Sequence, residues 1–403
     1  METHRKERRT ACGKASICRT ATPLLSKGVM ISVVNNQPRS TKHEAPNKSR
    51  LEFMPPTQQS DYQTAMLASS QTNRLVVWWL LMMALLVAIM VVIGGVTRLT
   101  GSGLSMTEWR PLMGTLPPMS EAEWARVFAL YKASPEYSAI NYGMDLAGFK
   151  TIFFWEYFHR LWGRFLGLAF ALPLLGFVIA RRVPKGYGLR LFALLILGGM
   201  QGVIGWWMVK SGLSEEASVS QYRLATHLGM ALFIFALLLW TALDIRDGRA
   251  HAPKGHAAGT LGIVALTIIA GAMVAGMDAG LLYNEYPLMG TGLVPVEYGE
   301  AGLLDPFENP ASAQFHHRWI AVLAVGAVVT LALRAARTLP PRIKLPAYFS
   351  MAVVGGQFLL GIITLLHGVP VTLGGMHQGG AVLLLGTVIW LSHRMQSANR
   401  PLA

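Results

Sequence analysis

Runs of about 20 apolar residues, long enough to cross a bilayer as helices, begin near Leu75, Phe153, Leu189, Leu224, Leu261, Phe315, Leu345 and Val371. The pattern predicts eight membrane spans. Between the first two, Ser120-Glu121-Ala122-Glu123 has the form of a capping box, and Trp124, Val127, Phe128 and Tyr131 follow at helical spacing. A short amphipathic helix lying on the outer membrane surface is expected there. Residues before Arg74 show no such period and are rich in Ser, Thr, Pro, Gln and Lys/Arg, which predicts a disordered tail. If the start is overextended, Met30 and Met54 are alternative initiators.

The apolar segments repeat in two sets of four. Pro111-Leu112-Met113-Gly114 follows the first span and Pro287-Leu288-Met289-Gly290 the fifth, each after a glycine-rich exit, and Gly198-Gly199-Met200-Gln201 in the third span is echoed by Gly355-Gly356-Gln357 in the seventh. The economical reading is an all-α membrane protein of two pseudo-symmetric four-helix bundles. Its parts are a basic tail over 1–73, a first half over 74–250 and a second half over 251–403. An even number of spans per unit gives both halves the same orientation, so matching residues lie at one membrane depth.

Composition agrees with that class. The chain has 52% hydrophobic and 14% charged residues with mean hydropathy +0.40, whereas a soluble domain carries about a quarter charged residues. The loops over 181–190 and 334–344 are basic without acids, while the loop over 277–313 holds six acids and no Lys or Arg. By the positive-inside rule both termini are cytoplasmic and the acidic loop is exported. The net charge of +14 then reflects topology and not nucleic-acid binding. Cys12 and Cys18 lie in the cytoplasmic tail, where they stay reduced.

Candidate chemistry sits on a motif that occurs twice. Glu156-Tyr157-Phe158-His159-Arg160 enters the second span and Gln314-Phe315-His316-His317-Arg318 the sixth. Two spans later each is matched by another histidine, His227 and His377, and each of these runs on at one spacing to Trp240 or Trp390. All four imidazoles are expected near the exported face, inside four-helix bundles, where neutral imidazole can ligate heme iron. Glu156, His159 and Gly163 share one helix face, which suits a flat macrocycle. A single interfacial histidine is more often a satisfied polar residue; the duplication is what weighs against that here.

Glu156 is an acid in a membrane helix, which costs about 2.5–3.5 kcal/mol on insertion scales, and its counterpart is the neutral Gln314. Proton-coupled chemistry is therefore expected in the first half alone, the competing reading being an ion pair with Arg160 or Arg164. Arg160, Arg223 and Arg318 are candidates for pairing with porphyrin propionates, or for lipid phosphates. His251, His256 and His393 are expected to be solvated on the cytoplasmic side. Structural roles are expected for His316 and His367, and close helix contacts for Gly163, Gly167, Gly198 and Gly202.

The segments Glu156 to Arg164, Gln314 to Arg318 and Met376-His377-Gln378 resemble the heme A synthase family, most closely its alphaproteobacterial and mitochondrial branch, from about Arg74 to the C-terminus. The resemblance implies an eight-helix protein of the bacterial inner membrane that oxidises the C8 methyl of heme O to the formyl group of heme A for terminal oxidase assembly. It implies His317 and His377 as ligands of a heme b cofactor, His159 and His227 as flanking the substrate heme O, and Glu156 as the essential acid. Both heme sites would face the periplasm. Implied partners are the lipid bilayer, a heme O synthase, oxidase assembly factors and an electron donor, and a homo-oligomer is compatible with the pattern. Another branch carries a cysteine pair in the first exported loop; no cysteine occurs here between Thr97 and Lys150. The main alternative is a diheme b-type electron-transfer cytochrome with Glu156 structural. A transporter is a weaker third reading, since transporters more often break helices at the midplane.

Overall fold

In the computed structural model, residues 56–108, 116–214 and 217–398 are described. They form α1 (Pro56–Leu99), the short helices α2 (Glu121–Lys132) and α3 (Pro135–Ala139), then α4 (Leu146–Ile179), α5 (Gly188–Ser214), α6 (Gln221–Asp247) and α7 (His256–Gly276). The one-turn α8 (Asp305–Glu308) leads into α9 (Pro310–Thr338), followed by α10 (Lys344–Leu366) and α11 (Val371–Ala398). Eight helices among the described residues are long and apolar enough to cross a membrane, and they are the eight that the apolar runs predict. The tail differs. Composition assigns residues up to 73 to disorder, yet α1 reaches back to Pro56, a residue pre-set for the first helical turn. Residues 1–55, with both cysteines and the alternative initiators, lie outside the described residues, as does Pro111-Leu112-Met113-Gly114.

The ends of the helices follow local chemistry. Gly101, at φ +60°, closes α1 in the left-handed conformation, and Ser102 N–H donates to the Thr97 carbonyl across the turn at 2.9 Å. Asn309 caps α9 by accepting from Ala311 and Ser312 N–H. Ser120 caps α2 by accepting from Glu123 N–H at 3.2 Å, although the Glu123 carboxylate pairs with Arg126 instead of returning to the cap.

α4 has 34 residues, about 51 Å of helix, and so overhangs a bilayer core of about 30 Å. The overhang gives α2 and α3 something to pack on. Phe128 and Tyr131 stack on Phe149 at 4.9 and 5.1 Å, and Trp124 meets Phe153 edge-on at 5.1 Å. The amphipathic helix thus buries its apolar face against the second span.

The core runs through the first and last span of each half. Val76, Leu80 and Met83 of α1, Leu232, Phe235 and Leu238 of α6, Val264 of α7, and Val382, Leu385 and Val388 of α11 belong to one buried cluster. Helices α4, α5, α9 and α10 flank it. The halves are unequally closed: buried residues make up 11% and 6% of the apolar stretches of α4 and α5, against 33% and 17% for α9 and α10.

Polar contacts from α11 tie the halves together toward opposite ends. Gln378 of α11 donates to the Val91 carbonyl of α1 at 2.9 Å, and a Cβ at Gly95 would lie 1.8 Å from the Gln378 Oε1, so a side chain there would have to displace the Gln378 amide. At the basic end Asp244 of α6 accepts from Arg190 at 2.6 Å and from Ala250 N–H at 2.9 Å, and lies 3.0 Å from His393 Nε2 of α11. His393 is therefore not solvated. It is fully buried beside Trp240, because a buried carboxylate needs partners and α11 supplies one. His251 is exposed, as its polar surroundings predict.

Candidate functional site

The four motif histidines gather as two pairs near the acidic end. His227 and His377 are each the seventh residue of their helix, counted from Gln221 and Val371, so the repeat is kept to the residue. His159 lies deeper along its helix than its sequence segment suggests, because α4 starts at Leu146 and not near Phe153.

In the second half the rings of His317 and His377 stand 6.5 Å apart, centre to centre, at 89°. Two imidazoles sharing one metal through bonds of about 2 Å would have ring centres about 6 Å apart. The Nδ1–H of His317 donates to the Thr267 carbonyl at 3.1 Å, which leaves the Nε2 lone pair free to ligate. The Gln357 amide nitrogen holds His377 at two points, 3.1 Å from Nδ1 and 2.8 Å from its main-chain oxygen. The first half repeats this device, with the Gln201 amide nitrogen 3.2 Å from His227 Nδ1 and 3.0 Å from its carbonyl.

Each ring also needs a glycine opposite. A Cβ added at Gly205 would come within 2.9 Å of His227, at Gly271 within 2.9 Å of His317, and at Gly361 within 2.7 Å of His377; at Gly94 it would meet His159 at 3.3 Å. Other glycines face open space. Nothing lies within 4 Å of a Cβ built at Gly167, Gly198, Gly199, Gly202, Gly355 or Gly356, and Gly163 meets only the Met90 methyl at 3.5 Å. The close helix contacts expected at Gly163, Gly167, Gly198 and Gly202 are thus not made; their surfaces are free for a flat ligand. Among the described residues no three His, Cys, Asp or Glu side chains group as a metal site. Paired imidazoles on glycine-walled space suit a metal that brings its own in-plane donors, as heme iron does.

Glu156 is almost wholly buried, at 2% exposure, and each of its two oxygens faces a donor. One oxygen pairs with Arg160, one turn on; the other accepts from the Ser105 hydroxyl at 2.7 Å and Met106 N–H at 2.6 Å. Arg160 in turn donates to the Met106 carbonyl at 3.0 Å. Together they clamp the loop that leaves α1 onto α4. Gln314 and Arg318 clamp the loop after α7 in the same way, but with reversed polarity. The Gln314 amide donates to the Tyr283 carbonyl at 3.1 Å, and Arg318 donates to the carbonyls of Tyr283, Glu285 and Leu288. The first-half loop presents donors and requires an acceptor; the second presents carbonyls and requires a donor.

Arg160 and Arg318 therefore spend their guanidinium groups on loop carbonyls. Arg223 donates to the Trp207 carbonyl at 2.9 Å and lies over its ring. His316 stacks on Tyr298 and His367 contacts the Ile363 carbonyl, in keeping with structural roles.

Residues 77–389 match the family described as cytochrome oxidase assembly protein (COX15-CtaA). The chain belongs to this family. Heme A synthases of Caulobacter sp. (strain K31), Rhodospirillum centenum and Parvibaculum lavamentivorans are 47%, 45% and 45% identical to it over 313, 320 and 316 residues. These alignments cover 76%, 77% and 75% of this chain and 91%, 85% and 89% of the relatives. The stretch matched to the cytochrome oxidase assembly family takes in all four histidines, Glu156 and both amides. Those amides are what the sequence reading missed: Gln201 and Gln357 stood out as repeat markers, and their use as ring holders needed the third dimension.

Proposed function

We propose that this chain is a heme A synthase, oxidising the C8 methyl of heme O to the formyl group of heme A for a terminal oxidase. One observation carries the reading: a chain matched over most of its length to proteins of that name holds two imidazole pairs of one design and a carboxylate beside only one of them. Oxidising a methyl group removes electrons and protons in steps, so it needs a redox centre and a proton acceptor. His317 and His377 would hold heme b, which supplies one-electron redox capacity. His159 and His227 flank the substrate, and Glu156 takes up the proton. The open packing of α4 and α5 suits a site whose occupant must enter and leave through the lipid, while the closed second half suits a resident group. Arg160, Arg223 and Arg318 are the candidates for the propionates, each already anchored by a main-chain carbonyl.

The test is mass spectrometry of hemes extracted after co-expression with a heme O synthase, with heme A expected in the membranes. The Glu156–Arg160 ion pair favours a second reading, an electron-transfer cytochrome in which Glu156 only clamps a loop. In that case heme O would be recovered unchanged.

The loop charges support an inner-membrane protein with both termini cytoplasmic and both sites toward the periplasm. A reporter fused after Lys254 is expected to be cytoplasmic and one at Gly299 exported. The opposite result would move every candidate ligand to the inner leaflet.

A further inference from the structure

The exported ends of α5 and α6 differ from their counterparts in the second half, and holding the histidine rings does not explain the difference. Gly205 of α5 faces the His227 ring and Gly361 of α10 faces His377, which sets the two helices in register. Trp206, Trp207 and Lys210 of α5 then match Ile362, Ile363 and Leu366 of α10. On the helices that follow, Arg223 and Leu373 each stand third, four residues before the histidine. Two indoles and two cations in the first half thus replace four aliphatic side chains in the second. Trp, Lys and Arg at a membrane surface commonly anchor a span to lipid. Both halves meet the same bilayer, yet the second does so with aliphatic residues at these positions.

The four side chains form two cation–indole pairs. Lys210 Nζ lies 5.3 Å from the centre of the Trp206 ring, and the Arg223 guanidinium lies 4.5 Å from that of Trp207, whose carbonyl accepts from Arg223 Nη1 at 2.9 Å. The second pair bridges α5 and α6. Arg223 precedes His227 by four residues, so it shares the histidine's helix face one turn, about 5.4 Å, nearer the exported end. On α5, Gly199, Gly202, Trp206 and Lys210 recur at spacings of three and four, which puts them on one stripe, and a Cβ at either glycine would meet nothing within 4 Å. The stripe runs from an open flat surface to an indole to an ammonium. In α10 the same stripe reads Gly355, Phe358, Ile362 and Leu366, and Phe358 packs edge-on against Tyr286 at 6.2 Å. The protein fills that face itself, whereas the face on α5 is left bare.

We propose that Lys210 and Arg223, backed by Trp206 and Trp207, form a port that takes up heme O by its two propionates as it enters the first half from the bilayer. The inference rests on the proposed role of His159 and His227 as the substrate site. Heme O is a flat apolar ring with two carboxylates along one edge, and the first half offers a bare glycine surface with two cations at its exported end. A carboxylate leaving water needs a charged or hydrogen-bonding partner. An indole beneath each cation holds it at the interface before the substrate arrives. Engaging the carboxylates one turn outward of His227 sets the depth of the macrocycle at that ring. The aliphatic residues at the matching positions of the second half make no such port, as suits a group that stays in place.

The experiment uses the full chain with heme b bound, in nanodiscs of phosphatidylcholine, titrated with heme O and with its dimethyl ester, in which both carboxylates are uncharged. The Soret difference spectrum reports the added heme, and the signal that survives in His227→Ala is partition into lipid and is subtracted. Lys210→Leu and Arg223→Leu, which copy Leu366 and Leu373, should each weaken heme O binding about fivefold, the upper end for an exposed ion pair, and the double variant about 25-fold. Ester binding and heme b content should not change, and Lys210→Arg should keep the parent's preference for heme O over the ester. Equal heme O affinity in the parent and the double variant overturns the port. A parent that binds ester and heme O equally also overturns it, whatever the variants do, and leaves the cations to lipid phosphates. Heme A formation is read separately: a parent that prefers heme O to the ester but never oxidises it overturns the proposed function and leaves the port standing.

Discussion

Glu156→Gln should reduce heme A formation on the order of 10²–10⁴-fold, the range ascribed to a positioned proton-transfer group, while heme b stays bound. Heme O or a partly oxidised product should accumulate. The substitution copies Gln314 into the first half and keeps the side chain's size, yet the two sites are not interchangeable. Around Glu156 the Ser105 hydroxyl, Met106 N–H and Arg160 all donate. An amide there can accept on one atom only, and its N–H₂ must face another donor. Some loosening of the loop after α1 is therefore expected along with the lost proton acceptor. The two effects separate by product: a loosened loop slows every step alike, whereas a missing base stalls oxidation and leaves intermediates. Heme A made at the parent rate would reduce Glu156 to a clamp for Arg160.

His317→Ala and His377→Ala should each remove most of the b-type absorbance from the purified protein. The rings stand at the separation that two axial ligands need, so either truncation leaves a single ligand. A graded companion is Gln357→Leu, which keeps both ligands but frees the His377 ring. Loss of such an orienting contact typically weakens metal binding about 10–100-fold, and the same range is expected for heme b retention. Full heme content in both alanine variants would remove the second-half site from its proposed place.

The spans are legible in the sequence because the bilayer leaves a strong one-dimensional trace, and the pairing of His317 with His377 follows the repeat spacing. An apolar run must have the length of the membrane, and a histidine at the seventh residue of both α6 and α11 is hard to miss. What escaped was set by partners without a sequence mark. Arg160 and Arg318 bind main-chain carbonyls, which any residue can offer. His393 follows an apolar segment and precedes Arg394, so it reads as a solvated end; its partner Asp244 is 149 residues away. The overhang of α4 depends on α2 and α3 being there to cover Phe149 and Phe153. The glycine surfaces at Gly198 and Gly202 read as packing sites because small residues are common at helix contacts, and only the absence of a neighbour shows otherwise.

Helix α11 reaches across to the first half near each membrane face, and this bears on the order in which the halves pack. α11 brings Gln378 to Val91 near one membrane face and His393 to Asp244 near the other. Without α11 in place, α1 is left with a notch at Gly95 near one face and Asp244 is short of one partner near the other. Full packing of the first half therefore waits on α11, and the two halves complete their cores together.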